Sequence, residues 1–292
     1  MAAALTDEVR SACAQIAAQA QWVQIDLDAL EDIEPGAPPA LDPLRHYLDG
    51  SPAEVAMYFL TVDCVNFGSG WFPTLRKRAG SSGYFTVAWA IADRFRADGP
   101  WTAPQLRAIT TEEIADTLGQ PRDHELMALY AQALRALGAF LGARDALALV
   151  REARGSAEAL ATQLARGMAL FADRGFYKRA QIVPANLALA GAAEFSDLHR
   201  LTIFADNLVP HVLRCDGVLR YDERLAAHID ARRLLPAGPQ EREIRACAVR
   251  ACELLAQRVG ATEHELDNWL WSRGQAPEYK ARPRHRTRTV YY

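Results

Sequence analysis

Apolar residues recur at helical spacing along nearly the whole chain, and the segments that carry them open and close with helix caps. Ser51-Pro52-Ala53-Glu54 is a capping box with proline at the first helical position. It opens PAEVAMYFLTVDCV (52–65), which should stop at the Asn66-Phe67-Gly68-Ser69-Gly70 loop. Further helices fit YFTVAWAIADRF, APQLRAI, HELMALYAQALRALGAFLG and SAEALATQLARGMALFA. QEREIRACAVRACELLAQRVG should bury Ile244, Cys247, Ala251, Leu254 and Leu255, with Gly260 as its stop. Thr262 to Glu265 form a second capping box, opening a helix that carries Trp269 and Trp271. Strand signals are few: VQIDLDAL alternates at its start, and the terminal RTRTVYY suits an extended conformation. The expected fold is mainly α, one helical domain over residues 1–292, because the loop EPGAPPALDP (34–43) lies too near the N-terminus to separate two cores.

Composition excludes several classes. Half of the 292 residues are hydrophobic and 24% are charged, an ordinary globular balance. The net charge of −3 gives no field that would draw the whole molecule to nucleic acid or an anionic membrane. Asp7 and Glu8 interrupt the first apolar run, so it does not read as a signal peptide, and no charge-free run has the length to span a bilayer. Five scattered cysteines without a Cys-x-x-Cys pair read as reduced thiols in a cytoplasmic protein. No His-Glu-x-x-His occurs and no two histidines stand at i, i+4, so no metal site is expected.

The stretch LTIFADNLVPHVL (201–213) departs from ordinary helix patterning. Leu198, Leu201, Ala205, Leu208, Val209 and Val212 would share an apolar face, with Asp206 at its edge. Pro210 would remove the helical bond to the Asp206 carbonyl and kink the helix there. A half-buried carboxylate on a distorted turn is a candidate functional group; the alternative is an aspartate paired with an arginine beside an incidental kink. Phe176-Tyr177-Lys178-Arg179-Ala180-Gln181-Ile182 places two aromatics before two cations and an amide. Asp63 and Asn66 stand at i, i+3 at the end of the first capped helix, where carboxylate and amide can read the edge of a guanine-like base. Phe67 and Trp71 can stack on such a ring; otherwise Asn66 caps the helix and the aromatics are core. Arg282 to Arg288 is the densest basic run. With Val290-Tyr291-Tyr292 as an anchor it is suited to docking and to holding a phosphomonoester, and without docking it is a solvated end.

In order and rough spacing, VDCVNF (62–67), FYKRAQI (176–182), DLHRLTIFAD (197–206), the EIRA run (243–246), LDNWLW (266–271) and HRTRTVYY (285–292) resemble the queuosine salvage protein family. The resemblance implies an all-helical fold related to helix-hairpin-helix DNA glycosylases. It also implies hydrolysis of the N-glycosidic bond of queuosine 5′-monophosphate, releasing queuine for tRNA modification. Asp206 falls on the family's catalytic aspartate and Lys178 on the lysine of its KRAQ motif. Asp63, Asn66, Phe67, Trp71, Arg245, Trp271, His285, Arg286 and Thr287 form the expected substrate-binding set. No cofactor, membrane or stable nucleic-acid partner is expected beyond the nucleotide. The alternatives are an N-glycosylase acting on another nucleotide or a DNA base, and a non-catalytic nucleic-acid-binding protein on the same fold. Two departures stand out: the Gly68-Ser69-Gly70 loop displaces the family's aromatics, and Leu208 and His211 replace a cation and an amide.

Overall fold

The computed structural model describes residues 4–292, which form fifteen α-helices and a single antiparallel pair of short strands. The N-terminal part comprises α1 (Leu5–Ala18), β1 (Val23–Ile25), α2 (Leu27–Glu31) and α3 (Pro52–Cys64), followed by α4 (Gly83–Asp98). Between α3 and its predecessor the 34–43 stretch is irregular, as its prolines require. A middle group follows: α5 (Ala103–Ala108), α6 (Thr111–Leu118), α7 (Glu125–Leu141), α8 (Ala146–Glu152) and α9 (Ala157–Gly167). The C-terminal part holds α10 (Lys178–Leu189), α11 (Val209–Cys215), β2 (Leu219–Tyr221), α12 (Glu223–Asp230), α13 (Pro239–Val259), α14 (Glu263–Arg273) and α15 (Pro277–Ala281).

The expected caps are present. Ser51 and Glu54 exchange hydrogen bonds as a capping box, as do Thr262 and Glu265, and each such cap stabilises its helix by about 1 kcal/mol. Gly260 ends α13 in the left-handed conformation, φ +69°. The SAEALATQLARGMALFA helix stops earlier than its apolar run, at Gly167, because the chain turns into a short 3-10 segment there. β1 pairs with β2, Val23 opposite Tyr221, a partner that Leu-Arg-Tyr is too short to announce.

Helix α3 lies at the centre, buried over ten successive residues from Val55 to Cys64, and packs on α10, α4, α7 and α8. α13 packs on α1 and α14. One continuous apolar cluster draws residues from both halves of the chain. All five cysteines are free thiols, and only Cys215 is not fully buried. No single described helix is long and apolar enough to cross a membrane.

The helix expected across 201–213 is absent in its first half. Residues 201–205 are buried but extended or irregular, and the helix begins only at Val209. Pro210 therefore sits in the first turn of α11, where its missing N–H costs nothing, and there is no kink.

Candidate active site

What holds residues 202–206 in place, without helix or sheet, is a set of side chains from three distant helices. Gln181 of α10 accepts the Thr202 N–H at 2.9 Å and donates to the Thr202 hydroxyl. Asp267 of α14 accepts the Phe204 N–H at 2.8 Å. Arg245 of α13 donates from Nε to the Ala205 carbonyl at 2.8 Å. A buried backbone must find partners, and here remote side chains provide them. Asp206 closes the segment in a turn that leads into α11: its Oδ1 accepts from the Leu208 and Val209 amides at 2.6 and 3.1 Å. One oxygen is thus pinned, while the side chain lines a cavity of about 360 Å³. That volume is within the range of small-molecule sites.

Lys178 enters the same cavity from the first position of α10. The preceding Tyr177 has φ +49°, a conformation unfavourable for a non-glycine residue, and this sharp entry aims the lysine inward. Its Nζ donates to the Asn66 carbonyl at 3.0 Å. Burial lowers its pKa to about 8 against the raising influence of Asp206 and Asp63. Asp267 also lines the cavity; burial, with the negative charge of Asp206, raises its pKa to about 8, so it holds a proton near neutrality. Sequence reasoning passed over Asp267 within LDNWLW, and only its place beside Asp206 distinguishes it from a surface aspartate.

The other expected residues divide. Asn66, Phe67 and Trp271 line the cavity, and Trp271 packs edge-on against Tyr84 and Phe85. Phe67 is 1% exposed, held edge-on to Tyr130 beneath the Arg179 guanidinium, so most of its ring serves the core. Asp63 is fully buried behind the wall and meets the cavity through Asn186 and, at longer range, through Asn66.

Trp71 is turned away from the cavity: its indole N–H donates to Glu125, and Arg288 lies over its ring. Arg245 is not free for substrate; buried ion pairs with Asp173 and Glu241 engage it. His285 and Thr287 are 1% exposed and face the interior, with burial lowering the histidine pKa to about 3. Arg286 donates to the Arg232 carbonyl at 2.7 Å and faces the neighbouring recess. His211 bonds the Tyr279 carbonyl at 2.8 Å away from the cavity, whereas Leu208 lines it.

The C-terminal tail is docked. Gly68 donates to the Tyr292 carbonyl at 3.0 Å, and Arg179 donates to that of Val290 at 2.6 Å. At Gly70 a Cβ would stand 2.6 Å from the Thr287 carbonyl oxygen, so the glycine loop is the seat of the tail. The docked tail forms one side of a second recess that shares Ser69, Phe72, Ser82, Gly83, Lys280 and Arg284 with the cavity. Six cations line this recess: Lys77, Arg232, Lys280, Arg282, Arg284 and Arg286. Ion pairs among the described residues use other arginines. Burial first, and then the adjacent Arg284 charge, lower the pKa of both Lys77 and Lys280.

Fold and cavity together define a mainly helical protein with a substrate-sized chamber, lined by Asp206, Asp267 and Lys178 among its charged groups, and a cationic mouth. The chain belongs to the queuosine salvage protein family, whose model matches residues 46–292. A Sphaerobacter thermophilus protein named queuosine 5′-phosphate N-glycosylase/hydrolase is 35% identical, the match covering 95% of each chain. A protein of the same name from Nematostella vectensis is 28% identical over 85% of this chain and 84% of its own. One from Dictyostelium discoideum is 38% identical over 40% of each.

Proposed function

We propose that this protein hydrolyses the N-glycosidic bond of queuosine 5′-monophosphate, releasing queuine for salvage into tRNA. The relatives' names support the substrate, and the observation that carries the chemistry is Asp206, pinned by two amides on the cavity wall beside a cationic recess. Breaking the bond builds positive charge at C1′ and the ring oxygen of the ribose. A carboxylate fixed against that position is stabilised most when the charge is greatest, and it needs no reorganisation when the charge appears.

The leaving base is a 7-deazapurine and lacks N7, so its developing negative charge must be taken up through N3 or the pyrimidine edge. Two cavity groups can supply a proton or a charged donor: Lys178, and Asp267 in its protonated form. Asp206 then activates the water that attacks C1′. Trp271, Phe72 and Phe204 offer aromatic surface to the base. The 5′-phosphate enters the cationic recess, where Arg284 lines both chambers and joins phosphate binding to the reacting end.

Incubation with queuosine 5′-monophosphate, queuosine and guanosine 5′-monophosphate, with released base measured by chromatography, tests this reading. Release of queuine from the monophosphate well ahead of the others is expected. Turnover of guanosine 5′-monophosphate at a similar rate would overturn the assigned base.

A further inference from the structure

Asp63 stands in the last turn of α3, fully buried, and does not touch the cavity. Both of its oxygens accept from the Asn186 side-chain nitrogen, at 3.0 and 2.9 Å. At the longer distance of 3.5 Å its Oδ1 also receives the Asn66 side-chain nitrogen. A carboxylate only accepts, so it fixes which end of each amide faces it. Nitrogens are turned inward; the amide oxygens are left toward the cavity that Asn66 and Asn186 both line. Neither oxygen has a hydrogen-bond partner among the described residues.

We infer that Asp63 is a specificity-determining positioning residue: it holds the Asn66 and Asn186 oxygens as paired acceptors that read the amino and ring N–H donors of a guanine-type base. The inference rests on the nucleotide N-glycosidase reading above. It refines the expectation that Asp63 contacts the base, and it names Asn186, which no motif had singled out.

The selection follows from what an amide can do in each orientation. With oxygens outward, a base bearing a 2-amino group and an N1–H is matched, and a base lacking the amino group leaves a desolvated acceptor unpaired. Asp63→Asn offers Asn186 a donor as well as an acceptor, so the Asn186 amide is free to turn and present its nitrogen instead. The groups that face Asp63 are Lys178 and Arg179 from α10, Tyr84 from α4 and Tyr58 on its own helix. Burial raises the Asp63 pKa to about 6, so acidification should loosen the same arrangement without any substitution.

The test compares two free bases, 7-deazaguanine and 7-deazahypoxanthine, by calorimetric binding to the full chain. The kcat/KM ratio of their 5′-monophosphates is measured alongside. The wild type should prefer the amino base by about a hundredfold, and Asp63→Asn by about tenfold or less, in both readouts. Asn186→Ala, which removes the acceptor from the cavity wall, should erase the preference in the same way should the first variant fail to fold. In the wild type the binding preference should decline as pH falls through about 6. A preference unchanged in folded Asp63→Asn and in Asn186→Ala would overturn the inference. Base binding without any hydrolysis would overturn the enzymatic reading and leave the selectivity comparison decisive by itself.

Discussion

Asp206→Asn keeps the shape of the side chain and loses its full charge. Turnover should fall below detection while substrate binding, measured by calorimetry, stays within a few fold; near-normal turnover would remove the residue from catalysis. Trp271→Ala should weaken nucleotide binding by about 1–3 kcal/mol if the base stacks there. Trp71→Ala should act through the tail it anchors and raise KM only as far as the tail loosens. Titration adds a second set of expectations. The Asp267 pKa is raised from 3.8 to about 8, so its contribution to stability is fully present below the lower value and lost as pH rises through the upper one. Asp63 has the same sign, ending near 6. Lys178 is lowered from 10.5 to about 8, so its contribution returns as pH climbs between those values. The buried His285 and His211, lowered to about 3 and 4, act in the opposite sense up to about pH 6.5, so the Asp267 contribution is read as a difference. The stability of the wild type relative to Asp267→Asn should decline between about pH 4 and 8, and a difference independent of pH would refute the assigned cause.

Elements differ in how plainly the sequence announced them. α3 and α14 were legible because a serine or threonine cap and its glutamate lie within four residues of each other, and α13 because its glycine stop is local too. The 201–208 segment was not, since its apolar residues fall at helical spacing while two of its N–H groups donate to Gln181 and Asp267 and one of its carbonyls accepts from Arg245. Nothing in a window of a dozen residues carries that information. Arg245 shows the same limit: one of its two carboxylate partners, Asp173, stands 72 positions away, so the sequence alone does not show how fully the guanidinium is engaged. Gln181→Leu should lower stability by about 1–3 kcal/mol, because the buried Thr202 amide loses its acceptor. It should also reduce kcat more than it raises KM, since the segment it frees carries Asp206; an equal change in both would limit Gln181 to a structural role.

For the whole molecule, charge distribution matters more than net charge. A chain of −3 overall still gathers six cations around one recess. Local field, not total charge, governs capture of a dianion at the cavity mouth. Arg284→Ala should raise KM for a 5′-monophosphate by roughly tenfold or more, in line with about 1.5–3 kcal/mol for a charge-assisted bond, and leave the nucleoside unaffected. It is a cleaner probe than removal of residues 284–292, which would also strip the buried Tyr292 from the core. Equal losses on both substrates would show that Arg284 shapes the cavity and does not hold the phosphate.

The unpatterned segment before α11 also bears on how the protein acquires activity. Its three ties cross 21, 63 and 40 positions of chain, so each requires a different helix to have docked. Contacts of such separation close late, after local helices have formed. Asp206 then reaches its working place only when α10, α13 and α14 have all converged. During refolding from denaturant, the far-ultraviolet helical signal should recover ahead of hydrolytic competence, and the interval between the two should lengthen in Gln181→Leu. Recovered activity is in this sense a clock for the last stage of assembly, read from a five-residue stretch that has no secondary structure of its own.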